Sequence, residues 1–227
     1  MDKDVAKRLW RDAGIPVAGF VTLHRHTRSS ANFSVIVEEL GLPLFVKPAN
    51  AGSSVGVHKV TNEQEFERAL EDAFLYDRKI LVEEAIVGRE VEISVLGNEF
   101  PKASVVGEII ASAQFYSYEA KYIDADGAKL VIPAQISEKA DQLIRETAIK
   151  AYQTITVEGL SRVDFFLKAD DTIVINEINT MPGFTSISMY PKMWEAAGLP
   201  YKELITQLIQ LGLDRKVWQK GLKTTND

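Results

Sequence analysis

The sequence predicts a protein of the α+β type, in which two mixed α/β lobes carry largely antiparallel sheets. Helix and strand patterns alternate through residues 1–88, where glycine and proline separate short apolar strands from amphipathic helices. Two strand pairs follow, each joined by a tight turn, at Gly97-Asn98 and at residues 168–171, and such turns connect antiparallel neighbours. We therefore expect a first lobe over residues 1–88, a second over 89–213 and a tail over 214–227.

The helices of the first lobe are predicted from their stops and caps. The first helix ends at Gly14, the second ends at Gly41, and Asn62 caps the third. Compact apolar runs between them predict strands. In chain order, we expect helices at residues 4–13, 34–40 and 62–76, and strands at 18–23, 44–47, 57–60 and 79–84.

The strands of the second lobe are predicted from alternation and turn residues, and Ser137 caps its main helix. Residues 110–126 have poor periodicity and many aromatic side chains, so we expect a long loop that is mobile without ligand and serves a function. Residues 180–191 are expected to form a second loop. In chain order, we expect strands at 90–96, 101–108, 161–167 and 172–179, and helices at 137–152, 193–197 and 201–211.

Composition excludes several classes of chemistry. The 227 residues include no cysteine, which rules out disulfides, cysteine-ligated zinc, iron-sulfur clusters and a thiol nucleophile. The formal net charge of -6 argues against sequence-independent nucleic-acid binding, which needs a basic face. No leader pattern or membrane-length apolar run is visible, so we expect a cytoplasmic protein without a membrane partner.

A glycine-rich stretch after Lys47 is the first candidate site. Gly52-Ser53-Ser54-Val55-Gly56 lets the backbone approach a ligand and turn N–H groups toward phosphate, while Lys47 supplies positive charge. A flexible surface turn beside a solvated lysine is an equal alternative. The stretch also satisfies the G-x-S-x-G pattern of serine hydrolases, but a strand follows it and no histidine occurs after His58, which excludes that class.

Two strands near the carboxyl terminus carry the second candidate site. Side chains alternate along a strand, so Arg162 and Asp164 share one face, and Glu177 and Asn179 share another. If the strands pair around their turn, these side chains converge. Three oxygen ligands without histidine or cysteine suit Mg²⁺, which keeps open positions for water and phosphate. The alternative is a buried salt bridge of Arg162 with one carboxylate, which explains two of the four residues.

Two further segments give weaker signals. The acidic run over residues 83–90 offers carboxylates that can accept hydrogen bonds from an adenine amino group or a ribose hydroxyl, although most acidic runs are merely solvated. Residues 118–122 place a lysine and a phenol on the long loop, where they either cover phosphates or pack on the body of the protein.

Taken together, these stretches resemble the ATP-grasp superfamily and, within it, the D-alanine-D-alanine ligases. The matching stretches occur in the family's order over nearly the whole chain, and such a set is far more specific than one glycine loop. They are residues 45–50, 52–56, 81–84, 118–122, 162–166 and 176–185. The resemblance implies an ATP-grasp fold, in which the two α/β lobes clamp ATP between them.

The resemblance implies a role for each matching residue in binding ATP and metal. The implied contacts of the ATP phosphates are Lys3, Lys47 and Lys121. The implied contacts on the adenine side are Glu83 and Ile86, and the implied ribose contact is Glu90. The ligands of two Mg²⁺ (or Mn²⁺) ions, which bridge the β- and γ-phosphates, are Asp164, Glu177 and Asn179.

The implied reaction joins two D-alanines for peptidoglycan precursor synthesis. The carboxylate of the first attacks the γ-phosphoryl group of ATP, and the amine of the second attacks the resulting acyl phosphate. The implied roles are oxyanion stabilisation for Arg162 and the Gly183 N–H, contact with the second D-alanine for Ser188 and Met189, and closure of the long loop onto the glycine loop for Ser53 and Tyr122. Tyr122 goes with D-alanine as second substrate, whereas phenylalanine there permits D-lactate.

The resemblance also implies a further lobe before the position of Lys3, which supplies a glutamate that grips the amine of the first D-alanine. No residue here takes that role, so we expect a truncated form of an enzyme that is a homodimer at full length. Two alternatives stay open. A nucleotide-binding fragment is expected to bind ATP without D-alanine-dependent turnover, and another ATP-grasp ligase is expected to turn over with a different amine.

Overall fold

Helices and strands alternate through the first part of the chain, and a larger antiparallel sheet dominates the rest. The computed structural model describes residues 1–111, 128–185 and 187–222. The helices are α1 (Lys3–Asp12), α2 (Phe33–Leu40), α3 (Glu63–Tyr76), α4 (Glu138–Thr154), α5 (Met189–Ala196) and α6 (Tyr201–Lys220), with a 3-10 helix at Arg25–Ser30. The strands are β1 (Phe20–His24), β2 (Leu44–Pro48), β3 (His58–Val60), β4 (Lys79–Glu84), β5 (Arg89–Gly97), β6 (Lys102–Ala111), β7 (Ala128–Val131), β8 (Gly159–Leu167) and β9 (Ile173–Asn179).

The first sheet has the strand order β1-β4-β2-β3 and is antiparallel throughout. Helix α3, which packs on it, begins after Asn62, whose side chain accepts a hydrogen bond from the backbone N–H of Glu65. The buried face of α3, with Phe66, Leu70 and Phe74, shares one apolar core with the sheet. This core holds β2 and β4 side by side under the cleft described below.

The second sheet has the strand order β7-β6-β5-β8-β9 and is also antiparallel, which confirms the predicted α+β class. Helix α4 covers one face, and α5 and α6 cover the other. In β5, Val91, Ile93 and Val95 belong to the core under α4, whereas Leu96 packs with α5 and α6. Because both faces are covered, β5 is buried almost continuously and does not show the alternation of a half-exposed strand.

Helix α1 connects the two sheets. Its Trp10 is fully buried in the core of the second sheet and donates a 3.1 Å hydrogen bond from Nε1 to the carbonyl of Ala151 in α4. At its other end, the backbone N–H of Lys3 donates to the carbonyl of Ala49, next to β2. Residues 1–88 therefore contribute to both cores, and the domain boundary at Gly88 stays a prediction.

Three predicted boundaries were wrong. Residues 189–191 were expected in a loop but begin α5, because their side chains are buried beneath the second sheet and proline fits the first turn of a helix. Helix α6 continues to Lys220, past its predicted end at residue 211. Strand β6 includes Ile110 and Ala111, so the predicted loop starts too early.

Among the described residues, no helix combines the length and the apolar character needed to cross a membrane.

Candidate functional site

A cleft between the two sheets gathers many of the residues that the sequence singled out. Its volume is about 360 Å³, a size typical of small-molecule sites. Its walls come from β2 and the glycine loop on one side, the end of β4, and β9 of the second sheet. The predicted site residues that line it are Lys3, Lys47, Ser53, Glu83, Ile86, Glu90 and Glu177.

The glycine loop has an unusual backbone conformation. Ser53 and Ser54 have positive φ values of 54° and 58°. A side-chain-bearing residue in this region is strained by roughly 1–3 kcal/mol, and such strain is common at ligand sites. The loop is tied to α1, because Lys3 Nζ donates a 2.6 Å hydrogen bond to the carbonyl of Ala51. This hydrogen bond therefore ties the strained loop to α1 beside the cleft.

Gly56 is a position in this loop where a side chain does not fit. A Cβ there would lie 2.6 Å from the Tyr76 ring, and its φ of +67° disfavours any L side chain. We expect Gly56→Ala to lower the free energy of unfolding by about 1–2 kcal/mol, measured by urea denaturation. Gly52→Ala is the matched control, because a Cβ there meets nothing within 4 Å. Equal losses in the two variants would contradict the role of the Tyr76 contact.

A cluster of buried charges lies at one end of the cleft. Glu83 on β4 lies 2.8 Å from Lys47 Nζ on β2 and 3.3 Å from Lys7 Nζ on α1. Lys7 is fully excluded from solvent, and the other two are nearly so. The sequence indicated Glu83 and Lys47 but not Lys7. The available signal was its position one helical turn after Lys3, on the same face of α1.

Burial and charge act in opposite directions on this cluster. Burial raises the pKa of Glu83, but Lys47 and Lys7 outweigh that effect and hold the pKa below its ordinary value. For Lys7, burial dominates over the attraction of Glu83 and lowers the pKa to about 8. Glu83 is therefore ionised at neutral pH, and Lys7 is mostly protonated.

The lowered pKa of Lys7 predicts a pH dependence of stability. Between pH 8 and its ordinary value of 10.5, the unfolded chain holds a proton on Lys7 that the folded chain has lost. The free energy of unfolding therefore rises with pH through this window, by on the order of 3 kcal/mol at most. Urea denaturation of the native chain and of Lys7→Met from pH 7 to 10.5 measures this, and we expect the rise in the native chain alone. If the free energy of unfolding changes with pH in the same way in both proteins, the pH dependence does not come from Lys7.

The two strands near the carboxyl terminus bring the predicted polar residues together. Strands β8 and β9 are antiparallel and place Asp164 opposite Glu177 and Arg162 opposite Asn179. Arg162 donates two 2.7 Å hydrogen bonds to Asp164, and its Nε lies 3.1 Å from Oε2 of Glu92. The Asn179 amide nitrogen lies 3.1 Å from Asp164 Oδ2 and 3.4 Å from Glu177 Oε1. The Arg162–Asp164 salt bridge is therefore present, and Asp164, Glu177 and Asn179 also converge as predicted.

The chemistry of this acidic cluster fits a magnesium ion. Asp164 and Glu177 contact the same amide group, and a carboxylate that accepts from Arg162 keeps further acceptor positions for a cation. Glu177 also lies 3.4 Å from Lys3 Nζ, at the edge of the cleft. The described part of the chain holds no group of three or more His, Cys, Asp or Glu side chains suited to a metal. An ion here would therefore take further ligands from water and a bound polyanion, as magnesium usually does.

A β-bulge in β9 explains how the cleft and the acidic cluster meet. The pairing shifts register between Asp164 and Phe165, which leaves Asn176 as an extra residue in β9. Asn176 and Glu177 consequently both line the cleft, and Lys47 Nζ lies 3.4 Å from Asn176 Oδ1. Simple alternation predicts that neighbouring residues point to opposite faces, so the strand pattern did not predict that Asn176 lies in the cleft beside Glu177.

The predicted substrate residues lie around the amino end of α5. Ser188 precedes α5 as its N-cap, and its Oγ accepts a 3.0 Å hydrogen bond from the backbone N–H of Thr185. A Cβ on Gly183 would lie 2.9 Å from that Oγ, so the backbone at Gly183 approaches Ser188 closely. Met189 is buried against Gly107 of β6. The structure thus places Ser188 near Gly183, whereas Met189 packs beneath the sheet.

Two predicted residues, Lys121 and Tyr122, lie outside the described residues, as does most of the predicted loop over residues 110–126.

Comparisons with known proteins agree in sequence and in fold. The family model described as D-ala D-ala ligase C-terminus matches residues 9–210. A D-alanine–D-alanine ligase A of Chromobacterium violaceum is 59% identical over 95% of this chain and 59% of its own length. The chain spans about three fifths of the length of the curated relatives it matches.

Two solved structures are similar over nearly all of the chain. The D-alanine-D-alanine ligase from Coxiella burnetii has a TM-score of 0.86 and 40% identity, covering 97% of this chain and 58% of that one. The VanG D-Ala:D-Ser ligase from Enterococcus faecalis has a TM-score of 0.85 and 42% identity, covering 93% and 61%.

Proposed function

Because this chain belongs to the D-ala D-ala ligase C-terminus family, we propose that it supplies the ATP- and magnesium-binding part of an enzyme that joins two D-alanines. The observation that carries this proposal is the meeting of a lysine-lined cleft with a carboxylate cluster at Glu177. A nucleoside triphosphate needs cationic side chains along its phosphates and carboxylates for the accompanying metal ion. Both are within contact distance of each other at Lys3 and Glu177.

The nucleotide is proposed to lie along the cleft. Its phosphates contact Lys3, Lys47 and the glycine loop, because the strained backbone there and the two ammonium groups together favour an anion. Glu83, Ile86 and Glu90 also line the cleft. Glu83 and Ile86 are proposed to lie on the adenine side, and Glu90 is proposed to bind the ribose. Lys121, outside the described residues, is proposed as a further phosphate contact.

Metal binding is proposed for Asp164, Glu177 and Asn179. These residues would hold two Mg²⁺ (or Mn²⁺) ions, which would supply positive charge to offset that of the nucleotide phosphates. Asp164 is held in place by the paired hydrogen bonds of Arg162, and Glu177 by Lys3. This arrangement orients the carboxylates before a cation arrives.

The proposed reaction has two steps. The carboxylate of the first D-alanine attacks the γ-phosphoryl group, so that ADP leaves and an acyl phosphate forms. The amine of the second D-alanine then attacks the acyl carbon, and inorganic phosphate leaves with formation of the peptide bond. Arg162 and the N–H of Gly183 are proposed to stabilise the oxyanion of the tetrahedral intermediate. Ser53 and Tyr122 are proposed to link the long loop to the glycine loop.

The second substrate is proposed to be D-alanine, bordered by Ser188 and Met189. The tyrosine at position 122 supports this choice over D-lactate. The likeness to a D-Ala:D-Ser ligase makes D-serine the second candidate, because the chain is 42% identical to that structure. Cytoplasmic location and a homodimer of the full-length enzyme stay predictions.

Phosphate release from ATP by the purified chain with magnesium tests the proposal, in the presence of no amino acid, of D-alanine alone, or of D-alanine together with D-serine, D-lactate or L-alanine. ATP binding is measured in parallel by calorimetry. We expect ATP binding, and release that depends on D-alanine. Binding without release would reduce the proposal to a nucleotide clamp, release only with D-serine would replace the second substrate, and absence of binding would overturn the proposal.

A further inference from the structure

The buried Lys7 has no part in the proposed reaction, yet it is among the largest fully buried side chains. It projects from α1 toward Glu83, with Nζ 3.3 Å from Oε1, and lies 5.9 Å from the centre of the Phe20 ring. Burial of an ammonium group is unfavourable unless a partner compensates it, and here that partner is Glu83. A lysine in this setting is therefore tied to the charge of Glu83.

The charges around Lys7 come from each element packed against it. Glu83 on β4 is the contact, Lys47 on β2 repels it, and Glu177 on β9 attracts it from farther away. Glu83 thus has two cationic partners, one on each carboxylate oxygen: Lys7 at Oε1 and Lys47 at Oε2. The two lysines differ in one respect, because Lys47 lines the cleft and Lys7 does not.

We propose that Lys7 is a positioning residue that keeps Glu83 paired, so that Lys47 can leave Glu83 and bind the nucleotide phosphates. The inference rests on the proposed function, since it requires ATP in the cleft. With Lys47 as the sole cation, its movement toward phosphate would leave a buried carboxylate unpaired, which is strongly unfavourable. With Lys7 in place, Glu83 keeps one cationic partner before and after ATP binds. The movement of Lys47 toward the phosphates therefore does not leave the buried carboxylate unpaired.

The same geometry separates this role from a purely structural one. Lys7 acts through the phosphate contact of Lys47, so its removal weakens ligands that carry phosphates and spares those that do not. It also acts through the charge of Glu83, so its removal matters only while Glu83 is ionised. General damage to the cleft would have neither property.

The test is calorimetric binding of ATP and of adenosine to the native chain, Lys7→Met, Glu83→Gln and the double variant. We expect Lys7→Met to weaken ATP binding at least about tenfold and adenosine binding less than about twofold. Glu83→Gln and the double variant should bind ATP within about twofold of each other, because a neutral side chain needs no counter-charge.

The outcomes are distinct. Absence of ATP binding by the native chain would overturn the proposed function and this inference with it. ATP binding by the native chain with no effect of Lys7→Met, or with equal losses for ATP and adenosine, would overturn the inference alone. If Lys7→Met does not fold, the affinities of Glu83→Gln and of the double variant for ATP are compared instead. A double variant that binds ATP at least about tenfold more weakly than Glu83→Gln would overturn the inference.

Discussion

Glu177→Gln is expected to weaken magnesium-dependent ATP binding at least about 100-fold, because the change removes a proposed metal ligand while keeping the shape of the side chain. Glu177 is the point where the cleft and the acidic cluster meet, with Lys3 on one side and Asn179 on the other. Calorimetry with ATP and magnesium measures the loss. The same titration in EDTA should show no loss, because the substitution frees Lys3 for the phosphates.

The matched control for this change is Glu195→Gln. Glu195 is an exposed carboxylate on α5, so the same chemical change occurs away from the cleft. We expect wild-type affinity with magnesium for that variant. If Glu177→Gln keeps its magnesium-dependent affinity for ATP, Glu177 does not bind the metal. If the variant loses the same affinity in EDTA, Glu177 contributes to ATP binding independently of a metal.

The convergence of the acidic cluster was predictable from the sequence, but its register was not. Period-two alternation and the short turn at residues 168–171 predict an antiparallel pair that brings Asp164 near Glu177 and Asn179, whereas a regular hairpin around that turn would pair Asp164 with Ile175. The bulge at Asn176 was not predictable, because an inserted residue leaves the letters of the strand unchanged and becomes visible only in the pairing of the two strands. The metal and nucleotide roles of these residues stay predictions.

The burial of Lys7 shows a different limit. In the sequence of α1, lysine, arginine and aspartate outnumber the apolar residues, which is the pattern of an amphipathic helix with a single narrow buried face. Trp10 goes into the core of the second sheet, and Lys7 goes to Glu83 of the first, so the helix is buried from two sides. A pattern within ten residues cannot indicate a second covering sheet. Helix α6 also continues past its predicted end, through the exposed Gly212, where glycine is less favourable than alanine by about 1 kcal/mol.

Arg162→Met is expected to destabilise the fold by roughly 3–5 kcal/mol, because it removes one cation from two carboxylates that are nearly excluded from solvent. The exposed fractions of the Glu92 and Asp164 side chains are 7% and 13%. Burial acts against the charge of Arg162, but Asp164 and Glu92 outweigh it and raise its pKa, so the guanidinium stays charged over the whole accessible range. Urea denaturation at neutral pH measures the loss.

Two control variants separate this site from ordinary ion pairs. Arg8→Met breaks an i,i+4 pair with Asp4 at 2.6 Å, but the Arg8 side chain is 54% exposed, so its loss should stay below about 1 kcal/mol. Arg162→Lys keeps the charge but not the two-pronged contact with Asp164, so an intermediate loss is expected. Equal losses for the two methionine variants would contradict the importance of burial at Arg162.

The loss of unfolding free energy in Arg162→Met, its deficit relative to the native protein, should also depend on pH. The sign of that dependence shows whether the loss arises from charge or from packing. Against the effect of burial, Asp164 and Glu92 raise the pKa of Arg162, so by linkage the guanidinium favours the ionised form of both carboxylates in the folded native protein. The folded variant lacks this preference and binds protons more readily than the folded native protein, so its loss of stability relative to the native protein shrinks as pH falls from 7 toward 4. Lost packing alone would leave the deficit constant. The stability difference across this range thus decides whether Arg162 holds the acidic cluster together mainly by charge or mainly by shape.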